Sequence, residues 1–324
     1  MTFSSVVGQD AAWQEWLKAL ASERMHHAWL LAGSKGLGKG AFARAAATEL
    51  VREGALEQWD SESHPDIHIL EHLPANEDEA KKKADGKPYQ SKRNISVDQV
   101  RGMIRRLSTK PTVGSRRAIV IDPADDLEKS AVNALLKALE EPPSGTFFLL
   151  VAHQPGRLLP TVRSRCRVLR FAPLSAESLN AVLLRDFPEA EVSLRGEAIA
   201  AAQGSPGVAL AYVQHDLGKI YRAMNLILSE GDPEFRLRGM LADAMGARPS
   251  RDRQLAVLEL ARAVLAATLP SAASRQQSAV IEAHAALTRL SAQAPTYNFD
   301  SGLLILEIGG LLASAAALRE AAHH

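Results

Sequence analysis

The first residues along the chain that could do chemistry lie in a loop that begins at Gly33 and reads GSKGLGKG. The pattern G-x-x-x-x-G-K-[ST] describes a phosphate-binding loop. Its backbone N–H groups surround the phosphates, its lysine reaches the outer ones, and its hydroxyl residue binds Mg²⁺. Gly33, Gly36, Gly38 and Lys39 fit this pattern, but Gly40 stands where the hydroxyl residue belongs. The segment therefore predicts a phosphate-binding loop without its metal ligand, the alternative being a plain glycine-rich turn before a helix.

The elements on either side suit such a loop. Residues 28–32 are uniformly apolar and predict a buried strand, and the alanine-rich run 41–52 predicts a helix. Phosphate binding requires a strand, a glycine loop and a helix in that order. A second buried strand, predicted over 118–122, ends in Asp122, at the position where such folds hold Mg²⁺ through water.

The group that would activate water for hydrolysis is missing after that strand. In working ATPases of this type an acidic residue follows the aspartate, whereas Pro123 follows Asp122 here. Asp125 and Asp126 stand where a helix should begin, so we predict that they cap it. The missing hydroxyl and the missing acid together predict that this chain does not hydrolyse nucleotide itself.

Helices and strands alternate through the rest of this part of the chain. Apolar residues at helical spacing predict an amphipathic helix over 127–139, which the proline pair beginning at Pro142 stops. Another buried strand is predicted over 147–152, and Ser96 followed by Gln99 predicts a capping box. The order strand, helix, strand indicates parallel pairing.

Two motifs connect the sequence to a known family. Residues 133–143 read NALLKALEEPP and residues 164–166 read SRC. Together they resemble the clamp-loader branch of the AAA+ proteins, most closely the delta-prime subunits of bacterial DNA polymerase III. The similarity extends over most of the first 210 residues, including HPD at 64–66 and GSPG at 204–207. It implies an α/β fold: an AAA+ P-loop core with a parallel sheet, a small helical lid and an all-α C-terminal collar domain.

The resemblance implies a role for Arg165. In clamp loaders the arginine of the triplet is presented across a subunit boundary to the γ-phosphate of ATP held by the neighbour. Arg165, with Ser164 and Cys166 of the motif, is therefore the candidate catalytic residue, acting in trans. A guanidinium suits this task because it is always charged and can form paired hydrogen bonds with phosphate oxygens. The alternative is a solvated basic edge, to which three neighbours would also belong: Arg163, Arg167 and Arg170.

The sequence also departs from this family. Many relatives carry a four-cysteine zinc module after the helix of the phosphate loop, but residues 55–63 contain no cysteine. His64, His68 and His72 interleave with the apolar residues of a predicted strand, so we predict no metal. Residues 152–154 read AHQ where ATPase relatives favour a hydroxyl residue, and the lid helix lacks the arginine that active relatives use. We therefore expect no cofactor, while binding of ATP or ADP by Gly33, Gly36, Gly38, Lys39 and Asp122 is left open.

Composition fits a cytoplasmic component of an assembly. Among 324 residues, 46% are hydrophobic and 23% are charged, and the formal net charge is +1. A protein that binds DNA alone should have a basic domain, and this near-neutral charge does not indicate one. The single cysteine, Cys166, excludes a disulfide framework and is expected to be a packing residue. No signal peptide is expected at the start. The apolar segment 302–318 is too short to span a bilayer, so we expect a buried helix there. The densest basic group is expected to be a solvated face: Arg101, Arg105, Arg106, Lys110, Arg116 and Arg117.

The domains we predict are an α/β core over 1–172, a helical lid over 173–213 and a helical collar over 214–324. The first helix of the lid is predicted to start at Ser175. Residues 74–94 are charged and poor in apolar side chains, which predicts a mobile insertion in the core. Apolar stripes predict collar helices over three ranges: 255–269, 272–294 and 301–320. In the family, the collar is where subunits assemble into a ring, whereas the apolar faces alone would equally allow a closed bundle.

The resemblance implies a non-hydrolysing stator subunit of the clamp loader. Its partners would be the gamma or tau and delta subunits in a hetero-pentamer, with the sliding clamp reached indirectly and primed DNA through the complex. The chain would belong to a DNA-directed DNA polymerase holoenzyme without ATPase activity of its own. One alternative is an AAA+ subunit that itself binds and slowly hydrolyses ATP. Another is a stand-alone DNA-binding adaptor, which would bind primed DNA with salt-sensitive affinity.

Overall fold

The computed structural model describes residues 7–52, 61–87, 89–294 and 299–316. The chain divides into two compact units. The first comprises residues up to 74 together with 91–174, and the second comprises 75–90 together with the chain from 175 onward. The segment 75–90 thus interrupts the first unit and belongs to the second. The boundaries predicted at 172 and 213 stay predictions.

A parallel sheet forms the centre of the first unit. Within the described residues it has five strands in the order β2-β3-β4-β1-β5. The strands are β1 (Ala28–Ala32), β2 (Ile67–Leu70), β3 (Arg117–Ile121), β4 (Thr146–Ala152) and β5 (Arg167–Arg170). In the register Ala32 lies opposite Ala152, and Leu70 opposite Ile121. The predicted α/β class is confirmed, and the four predicted strands correspond to β1, β2, β3 and β4.

Helices cover both faces of this sheet. Alternate strand residues such as Leu30 and Phe148 pack on one face with residues of α4 and α5. The intervening residues, such as Trp29 and Leu149, pack on the other face with residues of α1 and α2. Because successive strand side chains point to opposite faces and both faces are covered, the central strand β1 is apolar throughout, whereas β5 leaves Arg167 and Arg170 exposed. The helices in this part of the chain are α1 (Asp10–Leu20), α2 (Lys39–Val51), α3 (Glu77–Ala84, in the second unit), α4 (Val97–Arg106), α5 (Lys129–Glu140) and α6 (Pro160–Arg163).

Two helix starts in this unit test the sequence predictions. The capping box is confirmed, because Ser96 Oγ accepts a bond from the Gln99 N–H at 3.4 Å and Gln99 Oε1 accepts one from the Ser96 N–H at 3.0 Å. The prediction that Asp125 and Asp126 cap a helix is wrong. They lie in a 3-10 turn, and α5 begins after Glu128 without a side-chain cap.

The insertion contains a helix that the charge pattern did not predict. Helix α3 starts at Asn76, whose side chain accepts a bond from the Glu79 N–H at 2.9 Å. Glu79 is buried and accepts bonds from Lys82 Nζ at 2.7 Å and the Gln90 N–H at 2.6 Å. A polar segment has therefore folded through its cap and its side-chain pairs rather than through an apolar core of its own.

The second unit is otherwise helical. The Ser175 side chain accepts a bond from the Ser178 N–H at 3.1 Å and caps α7, which confirms the predicted helix start. The helices predicted in the collar correspond to α12, α13 and α14, although residues 317–320 lie outside the described part of the chain. The helices are α7 (Ala176–Asp186), α8 (Val192–Ala202), α9 (Pro206–Gln214), α10 (Gly218–Glu230), α11 (Arg236–Met245), α12 (Arg251–Thr268), α13 (Ser274–Gln293) and α14 (Ser301–Ser314).

Two helices of this unit are strongly apolar. The stretch Arg251–Ser271, which contains α12, is long and apolar enough to cross a membrane by length and composition alone. Buried core helices meet the same criterion, and α12 buries Val257, Leu260 and Leu265 within its unit. Helix α14 was expected to be buried, but it buries one side and leaves Leu303 70% exposed.

Candidate functional site

The predicted phosphate loop follows β1, and its backbone has the required shape. The Gly33 N–H donates to the Ala152 carbonyl at 3.3 Å, which ties the loop to the end of β4. A Cβ on Gly33 would lie 2.7 Å from the Phe171 carbonyl oxygen, so this position needs glycine. Gly36 and Gly38 have φ of +85° and +80°, the left-handed region that favours glycine. The loop geometry is therefore retained.

Lys39, the first residue of α2, is bonded to its own loop. It is 2% exposed, and its Nζ donates to the carbonyl oxygens of Gly33 at 2.7 Å and Ser34 at 2.6 Å. Burial lowers the pKa of Lys39 to about 8, although the carboxylates of Asp122 and Asp125 act in the opposite direction. The ammonium that should reach a phosphate thus has two acceptors within the protein.

The metal side of the site is crowded. Asp122 follows directly after β3, and a Cβ built on Gly40 would lie 2.4 Å from Asp122 Oδ2. Burial raises the pKa of Asp122, while the nearby Arg44 and Lys39 charges oppose that rise. A serine or threonine hydroxyl cannot fit at position 40 while the carboxylate stays there. These residues therefore do not fit a Mg²⁺ ion held in the usual way.

Asp125 connects the ends of two neighbouring strands. Its carboxylate accepts bonds from the His153 N–H at 3.1 Å and the Gln154 N–H at 2.8 Å, just after β4. These bonds are the physical reason why it is not a helix cap. The carboxyl ends of β3 and β4 lie side by side in the sheet, so strand order, had it been known, would have indicated the contact.

His153 follows directly after β4, in the segment 152–154. Burial lowers its pKa to about 4, and the charges of Lys39 and Lys35 act in the same direction. Asp126 also turns away from α5, with its Oδ2 3.3 Å from His72 Nε2 and its Oδ1 3.8 Å from Arg157 Nη1. Burial would raise the pKa of Asp126, but the His72 hydrogen bond and the nearby charges bring it below its usual value.

The Ser-Arg-Cys triplet follows the short helix α6. Arg165 Nη2 donates to Glu140 Oε1 at 2.5 Å, and its Nη1 donates to the Thr161 carbonyl at 2.8 Å. Ser164 Oγ donates to the same carbonyl at 3.2 Å. Cys166 packs against the sheet core, and burial raises the pKa of its thiol to about 12, which fits a packing residue. Within the described ranges, the hydrogen bonds and the ion pair of Arg165 are made with Thr161 and Glu140 and not with Lys39 or Asp122.

The other arginines near the triplet differ in their surroundings. Arg167 forms an ion pair with Glu15 at 2.8 Å, and its guanidinium lies 4.8 Å from the centre of the Trp29 ring. Arg163 and Arg170 are exposed. All three neighbours of the triplet are exposed, as a solvated basic edge requires, although Arg167 also pairs with Glu15, whereas Arg165 is half-buried.

The basic group on α4 is divided as well. Arg117 is buried, lies 3.9 Å from Asp66, and donates to the carbonyls of Arg106, Thr109 and Lys110. Arg117 therefore stabilises the loop after α4 and is not part of the predicted solvated face. Four members of the group are exposed as predicted: Arg101, Arg105, Arg106 and Lys110. In the described ranges no group of three or more His, Cys, Asp or Glu residues could hold a metal ion.

Sequence comparisons give the family. The model of the family described as "DNA polymerase III, delta subunit" matches residues 8–175, just over half of the chain. The DNA polymerase III subunit delta' of Pseudomonas aeruginosa is 34% identical over 212 residues, which are 61% of this chain and 58% of that protein. The Escherichia coli subunit delta' is 32% identical over 227 residues, 63% of this chain and 62% of that protein. The chain thus spans roughly three-fifths of the length of these curated relatives.

A solved structure of a DNA polymerase III gamma subunit-related protein from Thermotoga maritima aligns with 93% of this chain and 98% of its own length. Its sequence identity is 17% and its TM-score is 0.44, too distant to carry an argument. The parallel sheet, the retained loop geometry and the delta' matches agree on the AAA+ fold. The chain belongs to the DNA polymerase III delta-subunit family.

Proposed function

We propose that this chain is a non-hydrolysing stator subunit of a DNA polymerase III clamp loader, acting in the cytoplasm. In this role it supports loading of the sliding clamp onto primed DNA without turning over nucleotide itself. The observation that carries the proposal is Gly40, which places no hydroxyl at the metal position of the chain's own loop and leaves the Asp122 carboxylate in the space where a side chain would begin. Lys39 also supports the proposal, because its ammonium donates to the carbonyl oxygens of Gly33 and Ser34 within its own loop.

The active contribution we propose is Arg165, presented to ATP bound by a neighbouring gamma or tau subunit. The delta subunit would complete the hetero-pentamer. A guanidinium can donate paired bonds to phosphate oxygens, and arginines of this kind accelerate phosphoryl transfer by about 10³–10⁵-fold. Arg165 is 33% exposed, so part of its guanidinium is accessible from solvent.

The test is a reconstituted complex containing Arg165→Ala. We expect the ring to assemble and its DNA-stimulated ATPase rate to fall, because the neighbouring site loses its guanidinium. Arg163→Ala is the matched control, since Arg163 is an exposed arginine two residues away. An unchanged ATPase rate in an assembled Arg165→Ala complex would count against the proposal.

A second candidate is that the chain binds ATP itself and hydrolyses it slowly. The retained positive φ at Gly36 and Gly38 favours it, because the phosphate-cradling backbone is intact. Nucleotide titration of the purified chain with and without Mg²⁺ separates the two. The stator proposal predicts that Mg²⁺ does not change nucleotide binding and that no nucleotide is hydrolysed. The second candidate predicts that Mg²⁺ strengthens binding and that the chain hydrolyses ATP slowly.

A further inference from the structure

The two family motifs of this chain meet in one ion pair. Glu140, from the NALLKALEEPP motif, accepts a bond from Arg165 Nη2 at 2.5 Å. The second arm of the guanidinium donates to the Thr161 carbonyl at 2.8 Å. The guanidinium is therefore held at two points, one on α5 and one on α6, so its plane as well as its position is defined.

Both anchors rest on rigid parts of the first unit. Leu139, next to Glu140, is buried, and its carbonyl oxygen lies 2.9 Å from His27 Nε2, immediately before β1. On the other side, the half-buried Cys166 packs against the sheet core next to Arg165. The ion pair thus joins two points that are each fixed to the sheet.

The position of Glu140 is electrostatically unfavourable apart from this contact. It is the last residue of α5, and the C-terminal end of a helix carries a partial negative charge that disfavours a carboxylate. Glu141, directly after it, adds a second negative charge. The adjacent Arg165 guanidinium offsets this repulsion. The carboxylate of Glu140 is therefore stabilised by Arg165 and not by the helix.

We infer that Glu140 is a positioning residue that orients the Arg165 guanidinium for the phosphate of the neighbouring subunit's nucleotide. The inference rests on the proposed function, since it requires Arg165 to act in trans. A long arginine side chain without such an anchor samples many rotamers, and small displacements from the reactive geometry are costly in rate. The carboxylate limits this sampling before the partner's phosphate arrives.

The experiment compares four variants in the reconstituted clamp loader: Arg165→Ala, Glu140→Gln, the double variant, and Glu141→Gln as the matched control. Glu141 is exposed like Glu140, but in the part of the chain that the structure describes it forms no hydrogen bond or ion pair with Arg165. Steady-state DNA-stimulated ATPase gives kcat and the KM for ATP. Assembly is checked by size-exclusion chromatography, so that loss of the complex is not mistaken for loss of rate.

We expect Glu140→Gln to remove about half or more of the kcat that Arg165→Ala removes, because the arginine remains but is no longer oriented. The KM should stay at the wild-type value, since the neighbour holds the nucleotide. In the Arg165→Ala background Glu140→Gln should add nothing, because Glu140 acts through the missing guanidinium. A merely structural role for Glu140 would not produce this dependence on Arg165.

Three results would overturn the inference. If Arg165→Ala lowers kcat but Glu140→Gln behaves like Glu141→Gln, the ion pair is an inconsequential surface contact and the proposed function survives. If Glu140→Gln raises kcat, the carboxylate competes with the phosphate instead of orienting the arginine. If Arg165→Ala itself leaves kcat unchanged, the proposed function fails, and the positioning role fails with it.

Discussion

Replacing Gly40 by alanine tests the crowding between α2 and Asp122. A Cβ at this position would lie 2.4 Å from Asp122 Oδ2 and 3.5 Å from its Cγ, so the helix or the carboxylate has to move. Glycine-to-alanine changes inside helices normally raise the free energy of unfolding, because alanine loses less backbone entropy on folding. At Gly40 we expect the change to alanine to lower the free energy of unfolding instead.

The magnitude follows from two opposing effects. Alanine is worth about 0.5–1 kcal/mol over glycine in the middle of a helix, and Gly40, the second residue of α2, gains at most that amount. Overpacking a filled site costs about 1–3 kcal/mol. The net expectation is a loss of about 1 kcal/mol. Gly102, inside α4 of the same unit, is the matched control, because the nearest atom to its Cβ would be Arg105 Nη2 at an ordinary 3.7 Å. Gly102→Ala should therefore stabilise the protein by about 0.5–1 kcal/mol.

Urea denaturation followed by circular dichroism measures both variants, alone and with Asp122→Ala. Once the carboxylate is removed, Gly40→Ala should become stabilising, as Gly102→Ala is, because the two changes share one contact. If Gly40→Ala stabilises the otherwise unchanged protein as much as Gly102→Ala does, the crowding carries no cost and the reasoning is refuted.

Buried ionisable groups of the first unit give three more predictions. Lys39 has its pKa lowered to about 8 from 10.5, so the unfolded chain binds more protons between these values and stability rises with pH there; Lys39→Met should abolish that rise in the urea midpoint. His153 has its pKa lowered to about 4 from 6.5, so its contribution is complete above 6.5 and is lost as the pH falls through 4; His153→Gln should make the urea midpoint less pH-dependent across that interval. Asp66→Asn should lower the free energy of unfolding by about 3–5 kcal/mol in equilibrium denaturation, because buried Arg117 would lose its carboxylate neighbour. A loss under about 1 kcal/mol, the range of exposed pairs, would contradict this.

Much of the first unit could be predicted from the sequence because the signals are local. Apolar runs identified β1, β3 and β4 to within a residue, and the loop pattern identified the bend between β1 and α2. The capping box at Ser96 depends on neighbours within one turn. Such features are encoded over a few consecutive residues and are therefore accessible without a fold.

The parts that were missed depend on contacts between distant residues. Asp125 was assigned to a helix cap because the sequence does not show that β3 and β4 are adjacent, which brings the His153 N–H within reach. The bond between Glu140 and Arg165 joins residues 25 positions apart and was not predicted. Arg117 was counted with an exposed group because burial of a charged side chain is visible only once Asp66 and the loop carbonyls surround it.

The internal hydrogen bonds of Lys39 affect how the phosphate loop should respond to the energy state of the cell. A loop whose ammonium depended on a bound triphosphate would change with the ratio of ATP to ADP. Here two backbone oxygens satisfy that charge. The shape of this loop is therefore expected to stay the same at any ratio of ATP to ADP.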